Sequence, residues 1–301
     1  KLFAHGKREM SQPPICDYEG SDYQKTFWEE GERQYEDAVE AIALRRLLPP
    51  AGKRLLELGA GAGRNTSRYI GFEEITLLDY SRTQLEQARA RLGGSSKYRY
   101  VAADAYKLPF APAVFDAATM IRTIHHLKEA ESALQQVSQV LAQQGVFILE
   151  FANKRNLKAL GRYILGKQEW NPFSLEPVEF VELNFNFHPR QIRSWLRANG
   201  FLIERQLTVS HFRVNFLKKH VPLSILQGLD SLLQWTGVFW QLTPSVFIKS
   251  TLTTGTTLQE FAFKCPQCAH YPLKPEGDDI NCPQCGAMYP FQEGIYDFRV
   301  K

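Results

Sequence analysis

Three acids and a run of alternating glycines are the residues best suited to chemistry. In RLLELGAGAGRN, residues 54–65, an apolar stretch leads through Glu57 into Gly59, Ala60, Gly61 and Gly63. Closely spaced glycines after a strand let the backbone turn sharply and approach a ligand. The dinucleotide fingerprint requires a sixth-position glycine, and this chain has Arg64 there. Glu57, just before the loop, would repel a pyrophosphate and attract an ammonium group. Asp79 closes the run ITLLD, 20 residues beyond Gly59, where an acid accepts hydrogen bonds from ribose hydroxyls. Asp104, in VAADAYKLPF, is placed to accept from an adenine amino group. Ala105 would offer its N–H to the ring, and Leu108 and Phe110 would pack on it. Three acids at three successive strand ends suit a cationic adenosine derivative without phosphate, and S-adenosylmethionine (SAM) has both an amino group and a sulfonium.

A second pattern lies near the C-terminus. Cys265, Cys268, Cys282 and Cys285 form two CxxC pairs separated by thirteen residues. Each pair brings two thiolates to one ion from a tight turn, and the two turns complete a tetrahedron. Four thiolates leave no open position, which describes structural zinc; rubredoxin-like iron is the alternative. A module of some 40 residues also needs such a staple. Cys16 has no partner in this pattern and is expected to be an ordinary free thiol.

The elements needed to hold these residues follow from periodicity. Strands are expected at 54–58, 75–79, 98–102, 117–121 and 146–151, with helices through 70 after the glycine loop and at 82–92 and 129–141. This alternation predicts an α/β, Rossmann-like, doubly wound, mostly parallel seven-stranded sheet with helices on both faces. Residues 152–187 and 212–242 interrupt the rhythm as helical lid insertions. A helix at 189–198 and strands at 201–210 and 244–253 return to the sheet, the two strands as an antiparallel edge pair. The expected division is cap helices over 1–44, a main domain over 45–253 and a small zinc ribbon over 261–301.

Composition narrows the classes. The 301 residues are 44% apolar and 23% charged with net charge +4, ordinary for a globular chain. The pI near 8.7 comes without a Lys/Arg block, so it selects no nucleic-acid partner. The most apolar late stretch, 221–242, is broken by Gln227, Asp230, Gln234 and Gln241, which makes it a poor membrane span. No transmembrane segment and no export leader are expected, and paired cysteines without export read as metal ligands in the cytoplasm.

Residues 45–152 resemble a class I SAM-dependent methyltransferase, nearest to its ubiquinone/menaquinone-biosynthesis branch. LLELGAGAGR resembles that family's first motif and LLDYS its ribose-binding strand end. AADAYKLPFAPAVFDAA resembles the adenine motif, MIRTIHHL the fourth strand and its loop, and LAQQGVFILEFAN the fifth strand. The resemblance implies that Glu57 and residues 59–63 hold the methionine portion, Asp79 and Tyr80 the ribose, and Asp104 and Ala105 the adenine, with Arg122 beside the cofactor. One departure is Gln143-Gln144-Gly145 where the family often has Pro-Gly-Gly. The tail CGAMYPFQEGIYDF resembles the small zinc-ribbon activator of methyltransferases that act on tRNA, rRNA and translation factors, here fused in cis.

Methyl transfer needs an aligned acceptor and, for some acceptors, a base. The candidate catalytic residues are His126, Glu150 and His188, with His125 beside them. His126 can equally pack or cap its loop, and His188 before Pro189 can equally start a helix. Tyr18, Tyr23, Phe27, Trp28 and Arg33 would close over the cofactor or pack as a cap. Three functions are expected from these features. The first is an enzyme methylating a small, apolar or aromatic metabolite enclosed by the lids. The second is a methyltransferase of RNA or a translation-factor protein docked by the ribbon. The third is a non-catalytic SAM-binding scaffold.

Overall fold

The computed structural model describes residues 13–16, 18–21, 26, 28 and 33–299; Tyr23 and Phe27 lie outside them. Helix α1 (Gln34–Leu47) leads into strands β1 (Gly52–Leu58), β2 (Phe72–Asp79), β3 (Tyr98–Ala102), β4 (Phe115–Met120) and β5 (Leu141–Ala152). Between them lie α2 (Arg82–Leu92) and α3 (Ala130–Val140). A first excursion holds α4 (Leu157–Ile164) and the hairpin β6 (Val178–Val181) with β7 (Asn184–Asn186). Then come α5 (Pro189–Ala198), β8 (Phe201–Val209), a second excursion of α6 (Asn215–His220) and α7 (Leu223–Leu233), and β9 (Ser245–Leu252). The C-terminal module contributes β10 (Lys274–Glu276), β11 (Asp279–Asn281), β12 (Met288–Tyr289), β13 (Phe291–Gln292) and β14 (Ile295–Asp297).

The main sheet has the order β13-β14-β3-β2-β1-β4-β5-β9-β8. Seven of these strands are the expected ones, parallel from β3 to β5 and closed by the antiparallel β9 and β8. The central strands lie between helices on both faces, which is why apolar residues dominate both of their faces instead of alternating with polar ones. Leu55 and Leu56 are both fully buried, on opposite faces of β1. β1 lies between β2 and β4, so chain order reverses there and a crevice opens at the strands' carboxyl ends.

Two additional strands were not expected from sequence. β14 pairs in parallel with β3, Ile295 opposite Tyr100 and Asp297 opposite Ala102, and Phe298 N–H donates to the Ala102 carbonyl at 2.7 Å. The cysteine module thus extends the main sheet, and Phe298 is buried beneath Phe263 and Tyr289.

The helix expected to follow the glycine loop through residue 70 is reduced to a 3₁₀ turn at Thr66–Arg68. Its side chains are committed elsewhere: Thr66 and Tyr69 donate to Glu57 beneath the loop, and Arg64 and Arg68 reach Asp37 on α1. Asn65 and Thr66 also form helices weakly. At the family departure, Gln144 takes φ 66°, a left-handed conformation that glycine would adopt without strain. Among the described residues, no helix is long and apolar enough to cross a membrane.

Candidate functional site

Glu57, Asp79 and Asp104 all line one crevice above β1–β4. The glycine loop forms its floor. Gly59 sits at φ 65°, and a Cβ there would lie 2.1 Å from the Thr123 hydroxyl, because Thr123 donates to the Leu58 carbonyl at 3.1 Å directly alongside. Only glycine meets both demands. Gly59 and Ala60 N–H groups donate to the Leu78 carbonyl, and Gly61 N–H donates to Asp79 Oδ2 at 2.8 Å.

The three acids differ in setting. Glu57 is buried, which raises its carboxyl to about 7 despite hydrogen bonds from Thr66 at 2.6 Å and Tyr69 at 3.2 Å. Asp79 is fixed by the N–H groups of Gly61 and Ser81, so the loop and the start of α2 are tied to one carboxylate. Burial raises Asp104 against the pull of the Tyr106 N–H, which it accepts at 2.8 Å. Gln84 Oε1, buried beside the loop, has no hydrogen-bond partner among the described residues. Two carboxyls raised by burial and an unsatisfied amide oxygen make a cavity that favours a cationic donor.

Gly59, Ala60, Gly61, Tyr80, Ala105 and Arg122 line the cavity as well. Gly63 lies just behind it, against Ala88 and Leu92. Arg122 takes φ 60° and is held from two sides: its N–H donates to Glu150 at 3.0 Å, and its Nε to Glu40 at 2.8 Å. Such over-determination sustains a strained residue at a ligand site. Burial pushes the Glu40 carboxyl up, but Arg122 and Arg64 outweigh it and hold Glu40 below the ordinary range. Arg64 lies 3.6 Å from the Trp28 ring centroid, and Trp28, Tyr18 and Ile15 roof the cavity.

The candidate bases separate. His126 lines the cavity. Its Nδ1 lies 3.1 Å from the Leu183 carbonyl and its Nε2 3.2 Å from the Tyr18 hydroxyl. A carbonyl only accepts, so Nδ1 carries the proton and Nε2 is the basic nitrogen. Burial lowers the His126 pKa against the Leu183 carbonyl. Glu150 is buried away from the cavity's lining, accepting from Ser245 Oγ at 2.6 Å and from Arg122 N–H; burial raises its pKa against Arg122. His188 caps α5, its Nδ1 accepting from Arg190 N–H at 3.1 Å. Burial, with Arg155 and Lys154 nearby, lowers its pKa to about 4. Arg33 lies at the start of α1 against Glu36.

Sequence reading missed Gln84, Asn65, Tyr106 and Thr123, and it gave Cys16 no place at the site, yet all five line the cavity. Leu108 and Phe110, expected to pack on the ligand, are fully buried in the core, Phe110 stacking on Phe263. In the C-terminal module the four cysteine sulfurs lie within 4.8 Å of one another. Cys265 and Cys285 are 3.6 Å apart and Cys268 and Cys282 3.5 Å. A tetrahedron with zinc–sulfur bonds of about 2.3 Å has edges of about 3.8 Å, so the donor set fits that ion.

Comparison with known proteins agrees with this geometry. A family model described as a methyltransferase domain matches residues 56–149. The chain is 30% identical over 168 residues to a demethylmenaquinone methyltransferase of Clavibacter sepedonicus, a match covering 52% of this chain and 69% of that protein. It is 32% identical over 127 residues to O-methyltransferase cnsE of Penicillium expansum, covering 38% of this chain but only 45% of the relative. Among solved structures, a chain from the complex between the Haloferax volcanii Trm112 methyltransferase activator and a methyltransferase superposes with a TM-score of 0.55. That match has 14% identity and covers 77% of this chain and 96% of that one, which shows a shared fold.

Proposed function

Because the chain belongs to the class I SAM-dependent methyltransferases, we propose that it methylates a small, apolar or aromatic metabolite. The observation carrying this reading is the convergence of Glu57, Asp79 and Asp104 on one cavity whose roof is the apolar set Ile15, Tyr18 and Trp28. Glu57 would meet the ammonium of SAM, Asp79 and Tyr80 its ribose, and Asp104 with Ala105 its adenine; Gly61 and Gln84 would lie along the methionine portion. SAM supplies an electrophilic methyl group on sulfur. This chain's part is to orient an acceptor toward that group, exclude water and, for a hydroxyl acceptor, take a proton.

His126 Nε2 is the best placed base, acting directly or through the Tyr18 hydroxyl. It is neutral at physiological pH because burial disfavours its charged form. Glu150 and His188 act as positioning residues, Glu150 by holding the Arg122 backbone and His188 by starting α5. A relative named for demethylmenaquinone supports a small aromatic acceptor.

The same reading divides the chain into a cap over 1–44, a transferase domain over 45–253 and a zinc ribbon over 261–301 in the reducing cytoplasm. Cys265, Cys268, Cys282 and Cys285 would hold the zinc, which supplies structural cross-linking. Sheet order favours a bracing ribbon over a docking one: β14 lies beyond β3, on the side of the adenosine acids, while His126 and Arg122 follow β4. The test is to incubate the protein with SAM and panels of phenols, hydroquinones and RNA, and to measure S-adenosylhomocysteine release. Turnover on the aromatic panel that falls at least tenfold in His126→Gln supports the reading. Turnover on RNA alone, or SAM binding without any turnover, overturns it.

A further inference from the structure

Two surface segments outside the cavity, 153–168 and 205–243, combine exposed apolar side chains with unbalanced positive charge. Among their charged residues, Lys154 is buried against Ser174, and Arg213 and Lys218 turn to Glu36. Lys158, Arg162, Lys167, Arg205 and Lys219 are exposed. The one acid in either segment is Asp230, which is fully buried and accepts from the Tyr35 hydroxyl and the His211 N–H. Exposed acids flank the segments: Glu204 precedes Arg205, and Glu169 follows the end of the first segment.

The apolar residues lie on the same elements. Helix α7 turns Leu226 and Asp230 inward, yet Ile225, Leu229 and Leu232 form an exposed stripe at i, i+4 and i+7 on another face. A helix that only covered the protein would need one apolar face; α7 has two. Past its end, Phe239 is 82% exposed, with Trp235 and Trp240 exposed nearby. Helix α4 exposes Leu157 and Ile164 (77%) on one stripe, flanked by Lys158 and Arg162. The two segments adjoin: Leu157 N–H donates to the Leu242 carbonyl at 2.9 Å, and Asn153 Nδ2 to the Gln241 carbonyl at 3.1 Å. None of these apolar side chains lines the cavity.

We propose that this face, formed by α4, α7 and the segment through Trp240, seats the protein on an anionic lipid bilayer. It lies on the bilayer, since no described helix can cross one. Exposed tryptophan, phenylalanine and leucine bordered by lysine and arginine are what an interfacial helix presents to anionic headgroups and the upper acyl region. A surface meant for a second copy would lose lysine at its core and leave like charges opposed. The proposal goes beyond methyl transfer and does not depend on it.

The test is cosedimentation of the full chain with vesicles of phosphatidylcholine alone or with about one third phosphatidylglycerol. Partition onto the anionic vesicles, and its reversal at about 1 M salt where the Debye length is about 3 Å, is expected. Each cation near an anionic surface raises partition about fivefold. The triple variant Lys158→Gln, Arg162→Gln, Lys167→Gln should therefore bind about a hundredfold more weakly. Phe239→Ser with Trp240→Ser should also release the protein. SAM calorimetry on both variants, unchanged from the parent, establishes that they are folded and separates this result from any failure of the methyltransferase reading. No partition, or partition indifferent to headgroup charge and to the triple variant, overturns the proposal. So does a lipid-free dimer that the Phe239/Trp240 pair dissolves, which would assign the face to a second copy.

Discussion

Glu57→Gln should make the protein more stable and worse at binding SAM. Burial raises the Glu57 carboxyl from 4.5 to about 7. A folded-state pKa above the unfolded one contributes stability that is complete below the unfolded value and lost as pH rises through the folded value. Above pH 7 the unligated fold therefore carries an ionised, desolvated carboxylate at a cost of about 3 kcal/mol, taking 1.36 kcal/mol per pKa unit. Glutamine removes that cost but weakens the hydrogen bonds from Thr66 and Tyr69, a loss of about 1 kcal/mol. The net gain at pH 8 is about 2 kcal/mol, or about 4 °C in Tm for a chain of this size. At pH 5 the folded-state carboxyl is protonated while the unfolded one is mostly ionised, which leaves a cost of about 1 kcal/mol that the lost hydrogen bonds cancel, so the gain should vanish. Glutamine cannot balance an ammonium ion, so SAM affinity should fall roughly ten- to a hundredfold, the worth of a charged buried hydrogen bond. Thermal unfolding at pH 5 and pH 8, with calorimetric titration of SAM, reads both effects. A variant less stable than the parent at pH 8, with affinity unchanged, would refute the assignment of Glu57 as a strained acid awaiting a cation.

Three further outcomes are expected. Asp79→Ala frees the Gly61 and Ser81 N–H groups and should weaken SAM binding at least tenfold in calorimetry, at a stability cost of about 1–3 kcal/mol. Glu40→Ala leaves Arg64 and Arg122 without their fully buried partner and should cost about 3–5 kcal/mol in denaturant titration. Burial raises Glu40, but Arg122 and Arg64 lower it overall. Its contribution should therefore be complete above the ordinary carboxyl pKa and fade as pH falls below it, so a flat stability profile between pH 5 and 3 would count against it. Removing metal with a chelator should raise hydrogen exchange at the Phe298 amide, which bonds to Ala102 on β3; unchanged exchange would show that the ribbon braces the sheet without metal.

The fold was legible where one local rule settles the matter. Central parallel strands such as β1 are buried on both faces and read as apolar runs, and the loop at Gly59 needs a conformation only glycine takes freely. The acids at 57, 79 and 104 were legible because strand ends face the crevice. Strand β14 was not, because three residues show no periodicity and its pairing with β3 spans nearly two hundred positions. The short turn at Thr66–Arg68 escaped because side-chain bonds to Glu57 and Asp37 outweigh helical pattern. Position along β5 gave the depth of Glu150 in the sheet but not its direction, and its carboxylate turns to Ser245 and Arg122. Gln84 sits on an ordinary helical stretch, and Tyr106 lies within the adenine motif, where Asp104 and Ala105 drew the ligand role and nothing in residue type marks the tyrosine as a contact.

Competitive calorimetry tests most directly whether an acid-lined crevice selects a cationic adenosine derivative without phosphate. Titration of SAM should show one equivalent bound, with a proton released below pH 7 as Glu57 ionises, while NAD at the same concentration binds no tighter than background. Tighter binding of NAD than of SAM, or no heat from SAM in a protein that unfolds cooperatively, would contradict it.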